Sequence, residues 1–163
     1  MIIRQLTEDD TAAYRALHRF GIGESPTGFV DVVATDAARP DAQVREMLER
    51  GDGWGAFDGD RLVAKLTIDA LPYPSLAHTF WIHAVYVHPD ARGTGASGKL
   101  IQAAIDGART RGARRVALWV NGVNPHARGL YERMGFRQTG HIPGGIQVAG
   151  VYVDDVLMTL ELV

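Results

Sequence analysis

The sequence predicts a mixed α/β fold, a mixed sheet carrying helices on its faces. Three observations lead there. Seven short apolar segments read as strands and four amphipathic segments as helices, in the order βα, α, βββ, α, β, α, ββ. The helical segments are bounded by start and stop residues of the expected kinds. A chain of 163 residues, 46% hydrophobic and 22% charged, is long enough to bury a real core and suggests one domain over 1–163.

Ile2–Leu6 is expected as the first strand, followed by a helix over Thr7–Arg19. Thr7 is placed to cap it, and Glu8, Asp9 and Asp10 fill the first turn, where the helix dipole favours acids. Residues 21–40 hold Gly21, Gly23, Pro26, Gly28 and Pro40 without clear periodicity, which predicts a mobile functional loop. Asp41 opens a helix with Val44, Met47 and Leu48 on one face and Gly51 as its stop. Trp54–Phe57, Arg61–Leu71 and His78–Val87 read as strands, the first two joined at Asp58-Gly59. Leu100, Ile101, Ala104, Ile105 and Ala108 recur at helical spacing, and Gly112 ends that helix. Val116–Val120 is an apolar strand of the kind buried on both faces. The helix over Pro125–Met134 has Asn124 as its cap, Pro125 at its first position and Gly135 just past its end. Strands near Phe136–His141 and Val151–Leu160 close the chain, flanking a glycine-rich loop at Pro143-Gly144-Gly145.

Composition removes several classes of function. The chain has no Cys, which excludes disulfides, thiolate metal sites, iron–sulfur clusters and a thiol nucleophile. With 17 Lys+Arg against 19 Asp+Glu, the net charge of −2 lacks the basic surplus of a nonspecific nucleic-acid binder. Apolar runs stop at about five residues, as in Val116–Val120, against the ~20 of a membrane span. The opening Met1–Asp10 is charged within four residues and has no apolar signal core, so a cytoplasmic protein is expected. His78, His83 and His88 are spaced by five, an odd number that alternates faces in a strand, so no metal site is expected.

The chemistry points to Arg92-Gly93-Thr94-Gly95-Ala96-Ser97-Gly98-Lys99, a loop that opens a helix directly after a strand. Such a loop presents backbone N–H groups beside a helix N-terminus, and both favour phosphate. Three templates compete. Gly93-x-Gly95-x-x-Gly98 fits the dinucleotide fingerprint, but no acid stands about 20 residues on, where Ala113–Val120 lies, and three strands precede the loop. Gly93-x-x-x-x-Gly98-Lys99 matches most of a P-loop, but Leu100 replaces the hydroxyl that magnesium needs.

The third template accounts for the surroundings as well. Val85-Tyr-Val-His-Pro89 followed by Arg92-Gly-Thr-Gly95 resembles the V-x-P-x-x-R-G-x-G core of the GCN5-related N-acetyltransferase (GNAT) family. Downstream, Asn124-x-x-Ala127-x-x-Leu130-Tyr131-x-x-x-Gly135-Phe136 resembles that family's second signature at its usual distance. One departure stands in the loop: Ser97 occupies the last small position of Arg/Gln-x-x-Gly-x-Gly/Ala. It is compact enough for backbone approach, and its hydroxyl is suited to cap the helix or reach a phosphate.

The resemblance implies the GNAT fold, with a central mixed, mostly antiparallel sheet of six to seven strands flanked by about four helices. It implies direct transfer of acetyl from acetyl-CoA, as cosubstrate and without a metal, to the primary amine of a small molecule or peptide, with a homodimer left open. It assigns pyrophosphate to Arg92, Gly93, Thr94, Gly95, Ala96, Ser97 and Gly98, and the pantetheine arm to the strand end Val85, Tyr86 and Val87. A backbone N–H near Tyr86 or Val87 would polarise the thioester carbonyl. Asn124 is a cap and a cofactor contact. Tyr131, two helical turns beyond Asn124, is the expected acid that protonates the leaving thiolate; a phenol near ~10 against a thiol near ~8.5 suits that transfer.

Many relatives carry a Glu base on the strand before the loop, and this strand has none. It carries His83, two residues before Val85, and resembles the corresponding strand of serotonin N-acetyltransferase, although Trp81 stands at the first His of that enzyme's pair. An imidazole near ~6.5 is suited to take the proton directly or through water. Acceptor specificity is expected from residues 20–40 and 141–150, with Glu24, Asp31 and Asp36 drawing a cationic amine and Phe29, Tyr73 and Trp81 as candidate walls. A non-catalytic acyl-CoA sensor is one alternative, which the presence of Tyr131 argues against, and a P-loop or dinucleotide-binding protein is the other.

Overall fold

The structure, a computed structural model, describes residues 1–29, 33–148 and 150–162. Its described residues form seven strands and five α-helices with mixed, mostly antiparallel pairing, the fold class expected from the sequence. The chain divides into two compact units, Met1–Ile68 with Ala84–Gly107, and Asp69–His83 with Ala108–Val163.

In the first unit, β1 (Ile2–Gln5) pairs antiparallel with β2 (Gly53–Asp58) from Ile2↔Phe57 to Gln5↔Trp54. A hairpin then joins β2 to β3 (Arg61–Ala70), paired antiparallel from Gly53↔Thr67 to Asp58↔Arg61 with a register shift between Ala56 and Phe57. Every β3 residue from Leu62 to Ile68 is buried. Helix α1 (Thr11–Glu24) and helix α3 (Asp41–Glu49) supply Tyr14, Leu17, Val44 and Leu48 to a cluster with Leu6, Phe57 and Leu62. Burying each such side chain contributes about 1.5–3 kcal/mol. Helix α4 (Ala96–Thr110) turns Leu100, Ile101, Ala104 and Ile105 inward, the face its spacing predicts.

The first helix departs from expectation at both ends. Glu8–Asp10 is a separate 3-10 turn, and α1 continues five residues beyond Arg19 to Glu24. Gly21 and Gly23 read as loop residues, yet both lie within α1. A Cβ on Gly21 would sit 3.0 Å from the Phe29 and Tyr86 rings, so this glycine serves close packing and not a turn. Tertiary contact here outweighs the ~1 kcal/mol helix penalty of glycine. The expected loop 21–40 also contains a 3-10 turn at Pro26–Gly28 and helix α2 (Val33–Ala38).

In the second unit, the first half of β4 (Thr79–Val87) pairs parallel with β5 (Arg115–Asn121), from Thr79↔Arg115 to Trp81↔Ala117. β5 pairs antiparallel with β7 (Val151–Glu161), which pairs antiparallel with β6 (Arg137–Val148). Helix α5 (Pro125–Arg133) follows β5, as its boundary residues predict. Pro143-Gly144-Gly145 does not form the expected loop. It lies inside β6, where the register shifts between Ile142 and Ile146, and Asp154 of β7 accepts a hydrogen bond from the Gly144 N–H at 3.0 Å. A bulge absorbs the extra residues without ending the strand.

Asp10 clamps the start of the chain. Its carboxylate accepts from both arms of Arg4 at 2.7 and 2.8 Å and from the Thr7 N–H at 2.8 Å. The Arg4 hydrogen bond, with the Thr7 N–H assisting, holds its pKa below the usual carboxylate value. A depressed folded-state pKa stabilises above the unfolded value and is lost as pH falls through the folded one. Asp10→Asn should therefore cost about 1 kcal/mol at pH 7 in urea unfolding, and the difference from wild type should close as pH falls below the ordinary carboxylate value of 3.8.

Candidate functional site

In the first unit the site begins where β4 leaves regular strand geometry. Ala84 has φ +51°, the left-handed region that costs a non-glycine residue about 1–2 kcal/mol. Its carbonyl accepts a 3.0 Å hydrogen bond from Lys65 Nζ. Lys65 stands mid-β3 at 0% exposure, and its ammonium lies 4.5 Å from the Tyr14 ring centroid and 5.7 Å from that of Phe29. The bend at Ala84 also interrupts the regular pleat between His83 and Val85. Val85 and Val87 are half-buried, and Tyr86 is buried.

The chain then passes a 3-10 turn at Pro89–Ala91, which His88 caps by accepting from the Asp90 N–H. Arg92 follows, expected as a pyrophosphate contact. Its guanidinium forms a two-armed pair with Glu24 at 2.7 and 3.1 Å, and its Nε–H donates to the Val87 carbonyl at 3.2 Å. The Tyr86 hydroxyl donates to the same Glu24 carboxylate at 2.9 Å. One carboxylate thus joins the last turn of α1, the end of β4 and the head of the glycine loop. The Arg92 and Tyr86 hydrogen bonds hold the Glu24 carboxyl below its ordinary range, while burial and Glu24 push the Tyr86 phenol up to about 12.

Gly93 and Gly95 have φ +75° and +79°, conformations that side chains rarely adopt. No atom outside the loop's immediate neighbours lies within 4 Å of a Cβ built on either, so backbone conformation, not crowding, requires glycine here. Between them, the Thr94 hydroxyl donates to the Ala91 carbonyl at 2.6 Å. α4 starts at Ala96, whose methyl is buried; Ser97 is its second residue, inside the helix and past the cap position, and Gly98 is its third. The segment 92–98 therefore feeds a left-handed loop into the N-terminus of a 15-residue helix. Unpaired first-turn N–H groups and the helix dipole suit that end to a phosphate.

In the second unit, Asn124 caps α5, its Oδ1 accepting from the Ala127 N–H at 3.1 Å. Tyr131 is buried on that helix, edge-on to Phe136 at 5.6 Å. Burial alone pushes its phenol up to about 12, so it holds its proton throughout the working range. His83 is exposed, and its Nε2 lies 3.1 Å from Asp69 Oδ1. A carboxylate only accepts, so the ring proton resides on Nε2 and the basic lone pair on Nδ1. Asp69 was not legible: the pair spans 14 residues, and spacing carries no signal for it. Lys65 carries a faint cue in the sequence: a lysine flanked by Val63-Ala64 and Leu66 within a strand.

The acceptor residues fare unevenly. Asp36 is buried and paired with Arg19 at 3.2 Å, a structural role in place of the expected amine attraction. Glu24 is committed to Arg92 and Tyr86. Asp31 lies outside the described residues. Phe29 packs against the core, 5.2 Å from the His18 ring and 5.7 Å from that of Tyr86. Trp81 is half-buried opposite Ala117, and Tyr73 is exposed.

Comparison with known proteins places this geometry in context. Among solved structures, yncA of Salmonella typhimurium, solved with its cofactor acetyl-CoA, superposes with a TM-score of 0.86 at 21% identity, over 100% of this chain and 94% of that one. An acetyltransferase of the GNAT family from Streptococcus pneumoniae gives 0.86 at 20% identity over 99% of both chains. At that identity the likeness concerns the fold. Among curated proteins, the L-methionine sulfoximine/L-methionine sulfone acetyltransferase of Pseudomonas aeruginosa is 31% identical over 135 residues, 83% of this chain and 66% of that protein. The L-amino acid N-acyltransferase MnaT of Escherichia coli is 34% identical over 109 residues, 67% of this chain and 54% of that protein. The chain thus spans just under two thirds of the length of the first of these relatives. The model of the acetyltransferase (GNAT) family matches residues 31–136, from before α2 through both signatures to Phe136, and the chain belongs to that family.

Proposed function

We propose that this chain, acting as one domain over 1–163, transfers an acetyl group from acetyl-CoA directly to the primary amine of a small L-amino acid or a close analogue. The observation that carries the reading is the 92–98 segment, a left-handed glycine loop delivered into the N-terminus of α4. The names of the two curated relatives, one acting on methionine derivatives and one on L-amino acids, support the acceptor class.

When bound, acetyl-CoA supplies an acetyl group activated as a thioester. The chain's own residues do the rest. Backbone N–H groups of 93–98 hold the pyrophosphate, and the backbone of Val85–Val87 orients the pantetheine arm and polarises the thioester carbonyl. As the C–N bond forms and the C–S bond breaks, His83 Nδ1 takes the amine proton, with Asp69 fixing its tautomer. The Tyr131 phenol gives its proton to the departing sulfur. No cysteine exists to carry an acyl-enzyme, which favours direct transfer.

Thiol release with purified protein, acetyl-CoA and a panel containing L-methionine sulfoximine, L-methionine sulfone and proteinogenic amino acids tests the reading. Turnover is expected with at least one of them. Thermal stabilisation by ATP–magnesium or NAD, with none by acetyl-CoA, would overturn it.

Tyr131→Phe should lower kcat by roughly 100-fold while leaving acetyl-CoA affinity near wild type. Because the phenol titrates near 12, any alkaline limb of the wild-type pH–rate profile below about pH 11 should persist in that variant. Disappearance of that limb would place the Tyr131 ionisation inside the working range, which fits the acid role but contradicts the upward push of burial.

His83→Gln and Asp69→Asn should each reduce kcat/KM, Asp69→Asn by less, since it disturbs only the tautomer and orientation of the ring. Equal kcat/KM in wild type and His83→Gln would transfer the base role to water.

A further inference from the structure

We propose that Lys65 is a positioning residue for acetyl transfer: through its hydrogen bond to the Ala84 carbonyl it holds the left-handed bend in β4 and so orients the backbone N–H groups that follow. The inference rests on the acetyl-CoA reading above and names a residue that reading does not use.

Lys65 is fully buried in the middle of a strand whose neighbours Val63, Ala64, Leu66 and Ile68 are buried and apolar. Packing alone would be served by Leu or Met. An ammonium in such a place is costly, and groups of this kind persist where their chemistry is used. The described use is specific. Nζ donates to the carbonyl of Ala84 at 3.0 Å, and among the described residues Ala84 is the one non-glycine position at positive φ. Left to its preference, an alanine in a strand returns to extended geometry, which would rotate the peptides on either side. A hydrogen bond from a charged donor, anchored in a close-packed core over the Tyr14 and Phe29 rings, opposes that return.

The same contact acts electronically. The Ala84 carbonyl and the Val85 N–H belong to one peptide group. A cation at the carbonyl oxygen withdraws electrons from that group and makes the N–H a stronger donor. Lys65 thereby sets both the direction and the strength of the backbone donors at the start of Val85–Val87, without touching substrate.

The test pairs Lys65→Met, which keeps an unbranched apolar chain as far as Cε and removes the ammonium, with the double variant Lys65→Met/Ala84→Gly. Glycine adopts positive φ without the alanine penalty, so it relieves the need for a brace. In Lys65→Met, kcat should fall roughly tenfold to a hundredfold with KM for acetyl-CoA within about threefold of wild type. Amide exchange over residues 84–87 should rise at least about tenfold. Adding Ala84→Gly should recover a large part of kcat, a rescue that a general packing defect would not show. A folded Lys65→Met with wild-type kcat and wild-type exchange overturns the proposal, as does a loss that Ala84→Gly leaves untouched. Should Lys65→Met fail to fold, Lys65→Gln, which keeps a donor one atom short, carries the same readouts. Faster exchange at 84–87 without any wild-type turnover of acetyl-CoA would uphold the brace and sink the acetyl-transfer reading, so the two fail separately.

Discussion

Inside a paired sheet or a helix, backbone donors reach a ligand only where the chain leaves regular structure, and that constraint organises everything proposed for this site. A strand spends its N–H groups on its neighbours, and a helix spends all but the first turn on itself. The departures here are few and each is held. Ala84, at φ +51°, has its carbonyl tied to Lys65. The head of the loop is tied by the Arg92 Nε–H to the Val87 carbonyl, and its middle by the Thr94 hydroxyl to the Ala91 carbonyl. Gly93 and Gly95 then complete the turn into α4. These ties restrain the irregular backbone, which is what preorganised donors need, since a donor that must reorient on binding contributes less to it.

Glu24 is the least obvious part of this arrangement, because it sets a carboxylate beside an intended phosphate site. Donor counting resolves the conflict. A guanidinium has five N–H donors; two of those on Arg92 go to Glu24 and one to Val87, and with the Tyr86 hydroxyl against the same group at least one is left for an incoming anion. The carboxylate fixes the plane of the guanidinium and raises its pKa without exhausting it. The same economy explains how a chain of net charge −2 can hold a polyanion. Binding strength of this kind lies in oriented dipoles and one restrained arginine, and it needs no basic surface.

What could be read from the sequence follows a physical division. Local signals were legible: Asn124 and Pro125 mark the start of α5, Asp58-Gly59 the β2–β3 turn, and the α4 spacing its buried face. The two family signatures carried the loop and Tyr131. What failed was long-range. Gly21 and Gly23 looked like breakers because the Phe29 and Tyr86 rings packing on Gly21 are invisible to propensity. Pro143-Gly144-Gly145 looked like a loop because a bulge supported from Asp154 leaves no local mark. Glu24 pairs with Arg92 across 68 residues and His83 with Asp69 across 14, so a sequence shows the charges but not which charge each one meets. Asp36 fails in the same way: an acid expected to draw an amine is buried against Arg39, three residues on, and Arg19, 17 residues back.

The two proton-handling groups of the proposed reaction sit in opposite environments, and that contrast bears on whether the acid is competent. His83 is exposed and can exchange its acquired proton with water, as a base that must reset each turnover requires. Tyr131 is buried and titrates near 12. Against a thiol in water at ~8.5, donation from such a phenol is uphill by about 3.5 pKa units, or roughly 5 kcal/mol. That comparison uses the wrong reference. In the proposed reaction a sulfur leaving next to this phenol would be desolvated too, and burial in apolar surroundings raises a thiol as it raises a phenol. The gap that matters is the one between two groups in the same medium, for which the ordinary difference of about 1.5 units is the better guide. Burial then favours the mechanism: it keeps the acid protonated until the thiolate appears, and it makes a free thiolate more costly than a protonated one.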